Sequence, residues 1–260
     1  MTEGRLICER DGPVARVLFD HPGAHNALTH QMWLDLRDEC KRLADDPAIR
    51  VVVFRGVGGK AFVSGTDISG FAGFTSGEQG IGYERGIDEC MAAVDALPMT
   101  AVAAIDGWAV GGGLNIASAC DFRIATATAR FGSPLGRTIG NCLSMSSYAR
   151  IVSAVGAAAA RRMILLGEMI TAQELLGNGF LYRVVDSANL EDEVRTLCER
   201  AAGNAPLTTR ATKEALRRWR NTSLPDIDDL IAQVYGSADF QLGVRNFLGG
   251  NKKPPDWNGS

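Results

Sequence analysis

The sequence has no cysteine pair at the spacing of a zinc or redox motif, no excess of basic charge and no uninterrupted apolar run of 18 residues. Each absence removes a class of function. The six cysteines, Cys8, Cys40, Cys90, Cys120, Cys142 and Cys198, are scattered, and a chain of 260 residues buries a core large enough to need no disulfide staples. They are expected as free thiols in a reducing cytoplasm. Only three histidines occur, His21, His25 and His30, within ten residues of one another and without an HExxH pattern or carboxylate companions, so no metal site is expected. A net charge of −3 provides no field for nucleic acid or a membrane surface, and any anionic ligand must be held locally. The first 30 residues lack the basic and apolar segments of an export signal, so a cytoplasmic location is expected.

What is present is ordinary globular composition, 46% hydrophobic and 22% charged, arranged as alternating strands and helices. "RLICERDGPVARVLFDHPG" predicts an N-terminal hairpin turning at Asp11-Gly12-Pro13. Thr29 caps a predicted helix whose apolar positions Met32, Trp33, Leu36, Cys40 and Leu43 recur at three- and four-residue intervals until Asp46-Pro47. The strands "RVVVFRG", "TAVAAIDG" and "DFRIAT" then alternate with turns and helices, which indicates an α/β core with crossover connections. Beyond Thr171 helix dominates, with "RVVD" as one more strand and Leu190, Val194, Leu197, Cys198 and Ala201 on one helical face. Residues 1–203 are read as the α/β core and 204–260 as a helical extension. Ser69–Gly86 holds six glycines in 18 residues and is expected to be a mobile loop or a poorly formed helix, in the manner of a lid.

Two small-residue turns follow strands. Gly111-Gly112-Gly113 stands where a strand becomes the helix Leu114–Ala119, so its amides emerge from a helix N-terminus with the positive end of the dipole behind them. Two readings of the triplet are open, a steric turn with tight helix packing or a site for negative oxygen. No phosphate-loop pattern accompanies it. The second turn is Ser64-Gly65-Thr66-Asp67, in "KAFVSGTDISG". Two such turns facing one cleft can bring two N–H groups to a single oxygen, an oxyanion hole in which each donor is worth roughly 2.7 to 4 kcal/mol.

"HPGAHNAL", "FVSGTDI", "GWAVGGG", "CDFRIAT" and "GVRNFLGGNKKPP" resemble, in order and spacing over nearly the whole chain, the enoyl-CoA hydratase/isomerase (crotonase) family. The resemblance implies a crotonase-like α/β fold, a spiral of ββα turns, with a C-terminal helical trimerisation region. It assigns the Thr66 and Gly112 amides to an oxyanion hole that stabilises the enolate of an acyl-CoA thioester. Coenzyme A then arrives as part of the substrate and no cofactor is bound permanently. The two glutamates with which hydratases of the family position water are replaced by Asn115, in "GGGLN", and Leu135, in "FGSPLG". An amide is no general base near neutral pH, and leucine holds no water.

Arg137 and Asn141, in "RTIGNC", occupy a region where the family places catalytic or orienting groups, and Tyr83 or Glu84 is a candidate to swing in from the glycine-rich loop. The plain alternative for each is a surface side chain. By the same resemblance Ala24, His25, Ala27, Ser64, Asp67, Ile68, Gly111 and Pro134 border the CoA thioester, with Asp67 stabilising its turn and Phe71 and Phe74 lining the acyl pocket. Asp121 is read as structural. Lys252 or Lys253 supplies charge to a CoA phosphate of a neighbouring subunit in a homotrimer or dimer of trimers. Ile227, Leu230, Ile231, Val234, Tyr235, Phe240, Val244, Phe247 and Leu248 carry more apolar surface than a helical pair buries within itself, and they are expected to pack against neighbouring subunits, the alternative being that they fold back on their own core. Three functions remain: hydratase/isomerase-type chemistry, decarboxylation of a malonyl-type CoA, which needs no strong base, and silent binding of an acyl-CoA.

Overall fold

The computed structural model describes residues 4–251, 253, 255 and 257. The chain begins with the antiparallel hairpin β1 (Arg5–Asp11) and β2 (Val14–Asp20), closed by Gly12 at φ 56°. Helix α1 (His30–Ala44) starts at Thr29, whose side chain accepts from the Met32 amide, and it buries the five apolar positions read from its periodicity. Three strand pairs then repeat one pattern: β3 (Val51–Gly56) with β4 (Ala61–Val63), β5 (Thr100–Ile105) with β6 (Trp108–Val110), and β7 (Phe122–Thr126) with β8 (Arg130–Gly132). The first strand of each pair joins a six-stranded sheet ordered β1-β2-β3-β5-β7-β10, parallel except for the N-terminal hairpin. The second joins a small sheet ordered β4-β6-β8-β9. Helix α2 (Gly77–Asp95) separates the first two pairs and α3 (Gly112–Ala119) the next two. This is the expected spiral of ββα turns.

After α4 (Leu135–Thr138), α5 (Met145–Val155) and α6 (Ala157–Leu165) come β9 (Ile170–Thr171), α7 (Ala172–Gly177) and β10 (Arg183–Val185). Strand alternation divides the core. Val52 and Phe54 face the main cluster with α1, whereas Val51 and Val53 pack with Val102 and Ile124 under α8 (Leu190–Ala202), which contributes Leu190, Val194 and Leu197. The chain ends in α9 (Pro206–Arg220), α10 (Asp228–Tyr235) and α11 (Ala238–Leu248). All six cysteines are unpaired, and no helix among the described residues is long and apolar enough to cross a membrane.

Two expectations are corrected. Of the two forms expected for the glycine-rich segment, it takes the helical one and not a loop: a short 3-10 stretch, Ile68–Gly73, leads into the 19-residue α2. Its glycines serve packing. A Cβ at Gly77 would lie 2.3 Å from the Ala232 carbonyl oxygen and one at Gly80 2.2 Å from Tyr235 Cγ, so α10 approaches α2 only because those two positions are bare. The second correction concerns the C-terminal apolar residues. Ile231, Tyr235, Phe240 and Val244 are buried in this same chain against Phe71 and Ile139, while Leu230, Phe247 and Leu248 stay about half exposed.

Candidate active site

The strand leaving β4 is tied to the loop before α1 by a parallel bridge between Leu28 and Thr66. In that bridge Leu28 donates to the Gly65 carbonyl at 2.9 Å and accepts from the Asp67 amide at 2.8 Å. Thr66's own N–H is left on the opposite side, without an acceptor among the described hydrogen bonds. Across from it, Gly111 takes φ 52°, its amide donating to the Gly132 carbonyl and its carbonyl accepting the first turn of α3 from Asn115. Gly112 follows at the first helical position, where an amide has no partner within the helix. The turns are close: a Cβ on Gly112 would stand 3.4 Å from Thr66 Oγ1 and 2.8 Å from the Trp33 ring, and one on Gly111 3.8 Å from Gly65 Cα. Gly113 packs directly on the Val63 carbonyl, 2.1 Å from a notional Cβ. The triplet therefore serves both readings, tight packing at Gly113 and a free amide at Gly112.

Both turns open onto one cavity of about 190 Å³. Thr66 Oγ1 accepts from Trp33 Nε1 and from the Tyr83 hydroxyl, each at 3.3 Å, which holds the turn from two helices at once. Tyr83 precedes Glu84, and both line the cavity. Glu84 is buried. Its Oε1 accepts from the Tyr235 hydroxyl at 2.7 Å and its Oε2 from the Ser144 amide at 2.8 Å. Burial pushes its carboxyl up to about 7, against those two hydrogen bonds, which favour the charged form. One turn further along α2, burial also raises the Asp88 carboxyl, although Ser144 Oγ donates to it at 2.6 Å.

Asn115 sits at the cavity wall in a polar chain. Its Nδ2 donates to Ser147 Oγ and its Oδ1 accepts from Arg150 Nη1, both at 3.0 Å. Arg150 in turn donates to Asp95, which also receives Arg220 from α9. Arg150 and Asp95 are almost wholly enclosed, so each charge is matched where water is excluded. Leu135 lines the cavity and brings no polar atom.

Of the residues singled out in the sequence, Ser64, Thr66, Ile68, Phe71, Tyr83, Glu84, Gly111, Gly112, Asn115, Pro134, Leu135 and Asn141 come together here. Tyr83 and Glu84 are corrected from surface or mobile-loop side chains to helix residues facing inward. Arg137 remains exposed, its aliphatic part against Gly167. Ala24, His25 and Ala27 lie outside the cavity wall, on the loop that Leu28 fastens to Thr66, where Ser64 Oγ donates to the Ala24 carbonyl at 3.0 Å. Asp67 caps the 3-10 stretch through Ser69, and Phe74 is not in the wall. Asp121 is structural, accepting from the Ala101 amide and pairing with Lys213. Lys252 lies outside the described residues. Lys253 is within them, its carbonyl accepting from Asn246.

Sequence reasoning missed Trp33, Ser147, Tyr235 and Phe247 as site residues. Trp33 offered a signal, since a buried indole N–H needs an acceptor. Two larger hollows, about 670 and 1210 Å³, lie beside α9 among Asp95, Lys213 and Arg218, away from both turns.

Residues 9–260 match the family model described as Enoyl-CoA hydratase/isomerase. The chain is 37% identical to (E)-benzylidenesuccinyl-CoA hydratase of Thauera aromatica over 81% of both chains. An enoyl-CoA hydratase/carnithine racemase structure from Magnetospirillum magneticum is similar at 30% identity and a TM-score of 0.79, over 100% of this chain and 97% of that one. A methylmalonyl-CoA decarboxylase structure in complex with 2-nitronate-propionyl-CoA superposes with a TM-score of 0.88 at 25% identity, over 98% of both chains.

Proposed function

The chain belongs to the enoyl-CoA hydratase/isomerase family, and from that premise we propose that it acts on acyl-CoA thioesters whose carbonyl oxygen accepts from the Thr66 and Gly112 amides. The observation that carries this reading is the pair of amides, without acceptors among the described residues, on two facing turns of one cavity. When the bond at C2 loses its proton or a carboxyl group, negative charge moves to that oxygen. Fixed N–H dipoles, with the N-terminus of α3 behind one of them, stabilise it without having to reorganise. Coenzyme A is the handle of the substrate, and no resident cofactor takes part.

Two-carboxylate hydration is not the chemistry proposed, because Asn115 and Leu135 stand at the two acidic positions. Reactions that pass through the enolate without activating water fit better, above all double-bond migration, which needs one group to carry a proton between carbons rather than two carboxylates to position water. Decarboxylation of a malonyl-type thioester is the second reading. It is favoured by a cavity in which Glu84, the one carboxyl among the described wall residues, is held neutral below about pH 7, so that little charge opposes a substrate carboxylate. The assembly we propose is a homotrimer or dimer of trimers. Helix α9 buries none of its own residues and exposes Leu216 and Trp219, three residues apart on one side, at 60% and 73%, a face suited to a neighbouring copy.

Mass spectrometry of purified protein with a panel of enoyl-, acyl- and malonyl-type CoA thioesters tests the reading. Double-bond migration or release of carbon dioxide faster than water addition is the expected outcome. Binding without turnover would reassign the chain as a silent acyl-CoA binder, and failure to bind any thioester would overturn the proposal.

A further inference from the structure

Helix α2 carries a buried stripe at three- and four-residue spacing: Gly77, Gly80, Glu84, Ile87, Met91 and Val94. Five of these positions have apolar side chains or none. The sixth is a carboxyl group, the one acidic side chain in the cavity wall among the described residues. Leaving a carboxyl there without a role is costly, since its charged form is poorly solvated. The protein nevertheless equips it with two donors from outside α2, the Tyr235 hydroxyl of α10 and the Ser144 amide at the start of α5. The other ionisable group in the wall among the described residues, Tyr83, has its hydroxyl committed to Thr66.

Resting on the reading that a thioester enolate forms at Thr66 and Gly112, we infer that Glu84 moves the proton at C2 of the acyl chain, in place of the glutamates missing at 115 and 135. In one direction the Glu84 carboxylate takes the C2 proton. The C–H electron pair becomes the C1–C2 double bond of the enolate, and the carbonyl π pair moves to the oxygen held by the two amides. In the other direction the Glu84 O–H protonates C2, the carbonyl reforms and the carboxylate is left. After loss of carbon dioxide the second step alone completes the reaction. Tyr235 is a positioning residue, orienting the carboxyl from the C-terminal region.

The groups facing Glu84 are Asp88 and Tyr83 on its own helix, Tyr235 on α10, Cys142 before α5 and Tyr148 within it. None is a cation that would hold the carboxyl permanently charged. Burial dominates, so the group titrates at about 7, where both proton loss and proton gain are accessible.

The test is exchange of the C2 hydrogens of butyryl-CoA with deuterium oxide, followed by mass spectrometry, with butyryl-CoA affinity measured in parallel. Wild type should exchange with a rate that rises with pH to a plateau, its midpoint near 7. Glu84→Gln should lose on the order of 100-fold or more of the exchange while keeping its affinity. Tyr235→Phe, which removes a donor that favours the carboxylate, should move the midpoint upward with affinity unchanged. Exchange by Glu84→Gln within a few-fold of wild type, an unmoved midpoint in Tyr235→Phe, or wild type that binds butyryl-CoA without exchanging it would overturn the inference and leave the oxyanion-hole reading standing. Wild type that binds no thioester would remove both.

Discussion

The Tyr235 hydroxyl donates to Glu84 Oε1 at 2.7 Å across 151 residues of sequence, so a C-terminal helix completes the environment of the one carboxyl in the cavity among the described residues. Burial of that carboxyl, which the hydrogen bond only partly offsets, sets a stability dependence on pH. Burial raises the folded-state value of Glu84 from 4.5 to about 7, so the native protein binds a proton that the unfolded chain releases between those values. Stability from this group is fully present below about 4.5 and is lost as pH rises through about 7, in total on the order of 3 kcal/mol. Glu84→Gln should remove that fall. Denaturant unfolding of both proteins at pH 5 and 8 checks it, and parallel pH dependence in the two would contradict the assignment.

The glycines of α2 should divide into two classes. Gly80→Ala drives a methyl into the Tyr235 ring and is expected to cost about 1–3 kcal/mol, as overpacking does. Gly82→Ala meets nothing within 4 Å and should stabilise the helix by roughly 0.5–1 kcal/mol. Melting curves of the two variants provide the comparison. Opposite signs are the expected result, and destabilisation by both would show that α2 needs flexibility rather than close contact.

The same glycines explain what was legible in the sequence and what was not. Periodic apolar residues placed α1 and α8 correctly, because burial on one face leaves a pattern within the segment itself. Gly77 and Gly80 were read as signs of mobility because their reason lies on α10, some 150 residues away, and no local pattern carries it. Glu84, named as a candidate, was placed on a loop by the same error: once α2 is a helix, it falls on the buried stripe. The C-terminal apolar residues were assigned to a neighbouring copy for a related reason, since amphipathicity reports that a face is covered and not by which chain. The two turns were legible because small residues after strands constrain backbone directly, and backbone forms that part of the site.

Water addition to crotonyl-CoA should be slower than in a relative carrying glutamates at both acidic positions, by about 10² to 10⁴ for each missing group that another residue does not replace. A steady-state assay of the loss of enoyl absorbance measures this. Hydration as fast as in such a relative would require a water-positioning group that Asn115 and Leu135 do not supply.

Light scattering of the full-length protein should report three or six chains. Leu216→Glu with Trp219→Glu, on the exposed face of α9, should shift the mass toward one chain while leaving far-ultraviolet circular dichroism unchanged. Truncation after Gly203 should do worse, because it also strips Tyr235 and Phe240 from Phe71 and Ile139 and leaves an aggregating or unfolded core. A wild-type monomer at micromolar concentration would contradict the assembly proposed.

The central claim, a thioester carbonyl held by the Thr66 and Gly112 amides, is tested most directly by the infrared band of butyryl-CoA labelled with ¹³C at that carbonyl. On binding to wild type the band should move to lower frequency, as two donors weaken the C=O bond. Gly112→Pro, which lacks the N–H, should lose much of the shift, while Gly112→Ala, which keeps the N–H and adds the same Cβ against Trp33, controls for crowding. A bound carbonyl that absorbs where it does in free solution would contradict the account.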